Sequence, residues 1–592
     1  MRVEFIETKA AIAELKDQWT AVYEADPEAT YFLSFEWLFG TATGAGSGGM
    51  VVGVRAPDDD SDYVAFLPVR LNTAHESGGF HNELNLSGNY TSDYNGFICR
   101  PEFETQAIPA LAKSLLGMNW RRLRLLNLPA SDERVRLFLS PFSARDFDLK
   151  PVNTVNSDGI DNAICPHAVL ADDWDEFLQK NVSSNTRQKI RRFLRQVEGS
   201  DAYRFTHTTG ETFDRDLEIL IELWTERWAE RKGERVQAIV NSFRRTLRNA
   251  LETQTLFMPM LWHEDRPLCA FAILVDDRKK TYNFIVGGRD DTFKGPPTGL
   301  VLHAYAIRHA ISQGIRKYDF LRGNEPYKYA FGSEETKNRA LLLSTKSGRN
   351  LRGKLDRRCL AFVARRSTEF YRAGDLAAAE RGFAQLVEAQ PDNANLRYWH
   401  GVIAAKLGDD ATASREFETS LERNPASLKT WLRLGRSLIS GNGGSIEAAN
   451  SYVDLMRKIP DQQNVHYLLG RVLLRLDQVD QAVAVFEAAS RLRPGDADIL
   501  AALEKARRMQ GKSAAPVDDQ SGQQMPDTAS EAETKPAAVA ITAKAGITPA
   551  AGPREMHRLA FQVMNWRRTE TAVASIAPAP KPAGNGRLAS PG

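Results

Sequence analysis

Four prolines place the tightest constraint on this chain. Pro391, Pro425, Pro460 and Pro494 are separated by 34, 35 and 34 residues. Twelve residues before each stands a small residue: Ala379, Ala413, Ala448 and Ala482. Eight before each stands an aromatic: Phe383, Phe417, Tyr452 and Phe486. Gly401, Gly435 and Gly470 precede the last three prolines by 24 or 25 residues. A period of this length marks a stack of helix pairs. The small residues let paired helices approach, and the aromatic fills the gap between them. The proline follows the second helix, which it cannot continue because it has no N–H to donate.

Together with Trp431, Leu434 and Gly435, and with Leu469 and Gly470, this pattern resembles the tetratricopeptide (TPR) repeat. The resemblance implies four repeats plus a capping helix over 362–511, an all-α solenoid that recruits a protein partner through its concave face. The first repeat has Ser367 where the glycine belongs, and the third carries the insertion Gly441-Asn442-Gly443-Gly444. Residues 497–511 read as a polar capping helix. From 512 to 592 Ala, Pro, Ser, Thr and Gln dominate, which predicts a disordered tail. Within it, Arg554 to Arg568 spaces Met556, Leu559, Val563 and Trp566 along one helical face. Such an amphipathic helix suits docking on a partner, a membrane surface or the protein itself.

The first 345 residues have a different texture. Short strand-like runs alternate with amphipathic helices. Val51 to Val54, Tyr63 to Arg70 (interrupted at Pro68) and Arg121 to Leu126 read as strands. Trp174 to Gln179, Arg187 to Val197 and Phe213 to Lys232 read as helices, the last with Leu220, Leu223, Trp224 and Trp228 on one stripe. Leu268 to Asp276 and Thr281 to Gly287 are strands, Leu300 to Gln313 a helix ended by Gly314, and Tyr318 to Leu321 a strand. The N-terminal part is therefore expected to be a mixed α/β unit.

Charge and cysteine usage narrow the functional classes. Lys+Arg 77 against Asp+Glu 75 leaves a net charge of +2, so no global field draws the chain to nucleic acid or membrane. Cys99, Cys165, Cys269 and Cys359 are scattered singly. That supports neither a zinc site nor a disulfide framework, so no metal is expected and a reducing compartment fits. The acidic start MRVEFIETKA lacks the apolar region of a secretory signal. Apolar runs such as Leu268 to Val275 are too short to span a bilayer. The expectation is a cytoplasmic protein without a transmembrane segment.

The order strand, strand, helix, strand at the end of the α/β unit carries the chemistry. Thr281 to Gly299 runs from a strand into a helix through Gly287, Gly288, Gly295 and Gly299, with Arg289 and Lys294 beside them. A helix N-terminus offers unpaired N–H groups and the positive end of the dipole, and glycines let a phosphate reach the backbone. The stretch is neither a Walker A loop nor GxGxxG. A plain glycine loop explains it equally well.

The same order, from Tyr282-Asn283 through Phe293 to Gly299, Ala306-Ile307, Ala310 and Gly314 to the block Tyr318-Asp319-Phe320-Leu321-Arg322-Gly323-Asn324-Glu325-Pro326-Tyr327-Lys328, resembles the CelD/BcsL-type GNAT acetyltransferases, relatives of the Fem-type peptidyltransferases. Phe32 to Leu38 resembles that family's opening helix. Leu67-Pro68 and Gly88 to Tyr94 resemble its first-half strand and loop, and Ser184 to Arg192 its basic linker helix. The resemblance implies two GNAT-like halves, 1–160 and 161–345, then a linker over 346–361. The acyl-transfer site falls in the second half. It implies an acyl-CoA donor, acetyl-CoA foremost, and links such proteins to bacterial exopolysaccharide or cellulose production. The signature Gln/Arg-x-x-Gly-x-Gly/Ala is absent; Lys294-Gly295-Pro296-Pro297-Thr298-Gly299 is its nearest version. An aminoacyl-tRNA donor, as in Fem-type relatives, thus stays open, with the basic helix Arg187 to Arg195 available to phosphates of either ligand. No long heptad segment of the kind those relatives carry for tRNA is present.

Acyl transfer needs a base for the nucleophile and an acid for the departing thiolate. Asp319 or Glu325 is expected as the base and Tyr327 as the acid. Lys328 is expected to hold an anionic substrate. Arg289, Lys294, Gly295, Thr298 and Gly299 are expected around the CoA phosphates. Asp93 and Tyr94 sit in a Gly/Asn/Ser loop that suits either an acceptor cleft or a hairpin turn. The acceptor is expected to be a sugar or an amine. Trp224, Arg227, Trp228 and Arg231 suit sugar or base stacking, but this spacing is commoner in a core. His207, His263, His303 and His309 stand isolated, and no G-x-S-x-G elbow supports a hydrolase. Asp58 to Asp62 reads as a solvated acidic loop, since the Gly and terminal Glu of a calcium loop are missing. A non-catalytic TPR scaffold is the remaining alternative.

Overall fold

The computed structural model describes residues 1–40, 49–56, 62–76, 78–88, 92–424, 427–441, 465–475 and 477–513. Asn89 to Thr91, most of the Asp58 loop, Pro425, the insertion at 442–444, Ala448, Tyr452, Pro460 and the whole tail, with the Arg554–Arg568 island, lie outside the described residues.

Two eight-stranded sheets build the α/β unit. The first runs Arg2–Ile6, Gly49–Arg55, Tyr63–Glu76, Gly79–Leu86, Arg122–Leu128, Arg339–Thr345 and Phe147–Pro151, with Ile98–Cys99 added on Tyr63–Glu76. The second runs Glu334–Lys337, Ile164–Val169, Lys317–Asp319, Thr281–Arg289, Arg266–Asp276, Pro259–His263 and Tyr203–His207, with Leu256–Phe257 on Arg266–Asp276. Each contains one parallel pair joined through a helix, Gly79–Leu86 with Arg122–Leu128 and Thr281–Arg289 with Lys317–Asp319. The helix Thr298–Ser312 lies between the second pair and buries Val301, Leu302, Ala306, Ile307 and Ala310.

Three expectations are corrected. The strand from Tyr63 runs straight through Pro68 to Glu76. Pro68 sits where the strand hands over from Ile98–Cys99 to Gly79–Leu86, so its missing N–H breaks no ladder bond there. The strand Arg339–Thr345, within the range expected for the second half, is laid into the first sheet between Arg122–Leu128 and Phe147–Pro151. The stretch expected as a linker is a strap pinned to the first half at a few buried residues, among them Asn350, Leu355, Asp356 and Cys359. Asp356 accepts from the Asn119 backbone N–H and donates its own N–H to Asn82 Oδ1, and Cys359 packs into the first half's core.

The halves share a core of Trp19, Phe32, Trp37, Phe66 and Tyr94 with Cys165, Leu274 and Leu321. Burying about 25 cal/mol per Å² of apolar surface makes this shared core the main glue between them. Buried polar bonds fix its register: Tyr23 donates to Asp276, and Tyr31 and Thr255 hydroxyls meet at 2.7 Å.

Helix pairs follow from Leu360. Gly401 meets the Phe417 ring and Gly470 the Phe486 ring, each so closely that a Cβ would overlap the aromatic. This is the aromatic-in-gap packing that the spacing predicts. In the first pair the arrangement is inverted: Ser367 meets Gly382 of the second helix, so a glycine still makes the close approach. The array docks on the first half. Gln385 bonds the Phe80 backbone in both directions, at 2.9 and 2.8 Å, and the Phe370 ring packs on His75 and Phe80. Among the described residues no helix is long and apolar enough to cross a membrane, and no group of three or more His, Cys, Asp or Glu is arranged to hold a metal ion.

Candidate active site

The strand Thr281–Arg289 pairs with Lys317–Asp319 over only three residues, Thr281 to Asn283. Its register with Arg266–Asp276 then shifts, leaving Ile285 as an extra residue. Such a bulge bends a strand and increases its twist. The two parallel strands diverge from there. Among the described residues, the backbone of Ile285 to Arg289 bonds only toward Arg266–Asp276. A free strand edge about 17 Å long, at about 3.3 Å per residue, is left facing the gap.

One end of the gap is the start of the helix Thr298–Ser312. The helix Thr298–Ser312 starts at Pro297, which offers no side-chain cap, and no acidic residue lies in its first turn. The N–H groups of Thr298, Gly299 and Leu300 therefore lack helical partners. Arg289 reaches over them: a Cβ on Gly299 would lie 3.7 Å from Arg289 Nη1. Its Nε donates to Asp291 at 2.6 Å. Lys294 and Gly295 are exposed beside it, and Thr298 is buried.

The other end is a clasp between the halves. Asp319 is 1 % exposed. It accepts from Tyr94 Oη at 2.9 Å and from the Leu321 N–H at 2.8 Å, and it pairs with Lys317 at 2.9 Å. Burial, then the Asp319 charge, pushes the Tyr94 hydroxyl well above its usual range, so it stays a donor. Asp93 accepts from Arg322 Nε at 2.6 Å, and Arg322 also donates to Asn127 at 3.0 Å. Lys328 is buried and committed inward. Its Nζ donates to the carbonyls of Leu321 and Arg322, at 3.3 and 2.8 Å, and pairs with Glu325 Oε2 at 3.0 Å. Those bonds hold a turn in which Leu321 and Gly323 both take positive φ, 60° and 101°. Glu325 keeps 37 % of its side chain exposed, and Tyr327 is 46 % exposed.

The structure thus brings Asp93, Tyr94, Asp319, Glu325, Tyr327 and Lys328 into one neighbourhood. Arg289, Lys294, Gly295, Thr298 and Gly299 form a second one along the same gap. Tyr94, Asp319 and Lys328 have their polar groups spent on protein partners, which leaves Glu325 and Tyr327 as the accessible functional groups.

His303, read as isolated, lies at the floor of the gap. Its Nδ1 is 3.1 Å from Tyr318 Oη, and its ring stacks on Tyr327 with centroids 5.8 Å apart. Burial, with the nearby Lys328 charge, pushes its pKa down to about 3, so it is neutral at physiological pH. Helical spacing with Ile307 and Ala310 is the signal that would have placed it on the sheet-facing side. Arg322, which ties Asp93 to Asn127, carries no signal in the sequence beyond its place in the Tyr318–Lys328 block. Trp224 is core, while Trp228 is half-buried under Arg227, Arg231 and Lys232.

A split parallel strand pair with a helix between its strands defines a GNAT-type acyltransferase fold, here followed by helical repeats. The comparisons agree at that level: the chain carries a GNAT acetyltransferase-like domain and tetratricopeptide repeats. The family "Acetyltransferase (GNAT) domain" matches residues 184–329, and tetratricopeptide families match 365–427 and 446–506. Among solved structures, FemX aligns at 11 % identity and TM-score 0.42 over 58 % of this chain and 97 % of its own. A tandem GNAT protein from the clavulanic acid biosynthesis pathway aligns at 12 % and 0.35 over 58 % and 98 %. A MamA fragment from Desulfovibrio magneticus RS-1 aligns at 19 % and 0.19 over 26 % and 92 %. No curated protein matches the chain.

Proposed function

We propose that the second half transfers an acyl group from acyl-CoA, acetyl-CoA foremost, to a sugar or amine acceptor, and that the helical array brings the enzyme to a partner in the exopolysaccharide or cell-envelope machinery of the cytoplasm. The observation that carries the reading is the unpaired backbone edge of Ile285 to Arg289, which ends at an uncapped helix N-terminus under Arg289. The edge suits an extended amide-bearing arm, as any unpaired strand edge does. The helix N-terminus, Arg289 and Lys294 suit its pyrophosphate. The acyl-CoA supplies an activated thioester. Glu325 takes the acceptor's proton as the acceptor's N or O bonds the acyl carbon. The C–S bond breaks, and Tyr327 gives its proton to the leaving thiolate. Asp319 and Tyr94 position this turn, and Lys328 orients Glu325. The uncapped cradle and the lack of a long heptad segment favour CoA over an aminoacyl-tRNA donor.

Calorimetry of acetyl-CoA against the whole chain tests this. Saturable binding that weakens about tenfold in Arg289→Ala, and less in Lys294→Ala, is expected. No binding at millimolar ligand would overturn the CoA reading and pass the test to aminoacyl-tRNA.

A further inference from the structure

The second helix pair of the array departs from its own repeat. The pattern W-x-x-L-G places large apolar residues four and one positions before the glycine. Trp431 and Leu434 hold those places before Gly435, but Arg397 and His400 hold them before Gly401. Arg397 donates to Glu416 Oε2 at 2.9 Å, which settles that pair of charges. His400 is 6 % exposed. Its Nε2 lies 3.3 Å from Glu380 Oε1, and its buried Nδ1 has no hydrogen-bond partner, with Glu416 Oε1 at 3.6 Å.

His400 borders a cavity of about 310 Å³ that also touches Glu380, Arg381, Leu407, Asp409 and Arg415. Arg381 enters it with a buried Nε that has no partner, and no ion pair satisfies its charge among the described residues. Among the described residues Arg415 donates only to Thr412 Oγ1, at 3.3 Å, and stands 3.9 Å from Glu416. Asp409 is used as a helix cap, accepting from the Thr412 N–H at 3.0 Å. Burial pushes the His400 pKa down, but Glu416 and Glu380 outweigh it and hold it above the ordinary value. Glu380 and Glu416 are taken up by His400, Arg397 and Arg415, and Asp409 by its cap, so among the described residues the Arg381 guanidinium has no carboxylate partner. Leu407 is 47 % exposed at the rim.

We propose that this cavity receives a Glu or Asp side chain of a partner protein, its carboxylate held by Arg381 and Arg415 and a neighbouring apolar side chain resting on Leu407. One guanidinium without a carboxylate partner matches one carboxylate, whereas a dianionic phosphate would face Glu380 and Asp409. A charge-assisted bond between a guanidinium and a carboxylate is about twice as strong as a neutral one. Position matters too. Arg381 lies one helical turn, about 6 Å, from Gln385, the residue that ties the array to Phe80. A partner seated here stands next to the transferase unit.

The test uses the whole chain and two fluorescein-labelled heptapeptides, Gly-Ser-Leu-Glu-Leu-Ser-Gly and the same peptide with Gln for Glu. Fluorescence anisotropy should show the Glu peptide binding about tenfold more tightly. The preference should vanish in Arg381→Gln and persist in part in Arg381→Lys, with unchanged thermal melting in both. Equal binding of the two peptides, no binding of either, or a preference that survives Arg381→Gln overturns the proposal. Tighter binding of a phosphoserine version than of the Glu peptide overturns the carboxylate class.

Discussion

The two halves of the α/β unit solve the same problem in opposite ways. Each has a parallel strand pair held together over three residues, 83–85 with 122–124 in the first and 281–283 with 317–319 in the second. Beyond those residues each pair opens. In the first half the opening is filled by the chain itself. The Asn95 N–H donates to Asn127 O at 2.8 Å and Asn95 Nδ2 to Leu126 O at 3.2 Å, while Asn127 Nδ2 donates to Ser92 O at 3.0 Å. In the second half no described segment fills the opening, and the edge of the other strand of the pair, Thr281–Arg289, is bare among the described residues. A strand edge without partners is costly to bury, so the proposed donor would gain by completing this one. The filling segment serves both halves. Its Asp93 and Tyr94 reach across to Arg322 and Asp319, so the plug of one opening is the clasp beside the other.

This contrast can be broken or sharpened at several points. The largest expected effect is on chemistry. Glu325→Gln should lower kcat by about 10²- to 10⁴-fold and leave acetyl-CoA affinity unchanged, in an assay of thiol release with an accepted acyl acceptor. Next is the clasp. Asp319→Ala strands Lys317 and the Tyr94 hydroxyl and should cost about 3–5 kcal/mol in urea unfolding, while Tyr94→Phe should cost about 1.5–3 kcal/mol. Filling and binding should then separate. Asn95→Ala should lower stability by about 1–3 kcal/mol with acetyl-CoA affinity intact, whereas Arg289→Ala should weaken binding and leave stability within about 0.5 kcal/mol. A loss of affinity in Asn95→Ala would mean that the first half binds the donor as well.

The smallest effect is a pH dependence confined to the first sheet. Burial pushes the Glu83 carboxyl up, but bonds with His81, Arg124 and Arg122 outweigh it and hold it well below its usual 4.5. A depressed pKa contributes stability above about pH 4.5 that is lost as pH falls further. Glu83→Gln should therefore flatten the acid limb of the unfolding profile below that pH.

Much of this was legible in the residues. The array was, because close helix packing demands small residues and aromatics at fixed spacing. Ser367 marked the first repeat as irregular without revealing that Gly382 makes the contact instead. The strand–helix–strand order of the second half and its glycine-rich turn were legible because periodicity and helix-start chemistry are local. The use of Arg339–Thr345 in the first sheet was not, since nothing local distinguishes a strand's sheet. Pro68 misled because a proline ends a strand only where its N–H is needed. At the site, the family resemblance singled out Asp319 and Lys328, and a polar loop Tyr94, yet Tyr94 and Asp319 bond each other across 225 positions and Lys328 is held by the carbonyls of a positive-φ turn. His303 stayed hidden because a lone histidine in a helix has no signature until its floor of aromatics is assembled.

The central claim is that the donor completes the bare edge of the second half and not the filled one of the first. Hydrogen exchange of the whole chain with and without saturating acetyl-CoA tests it directly. The account predicts new protection over 285–289 and at the first turn from Thr298, with 84–88 and 122–128 unchanged. Protection over 122–128, or none in either half despite saturable binding, would contradict it.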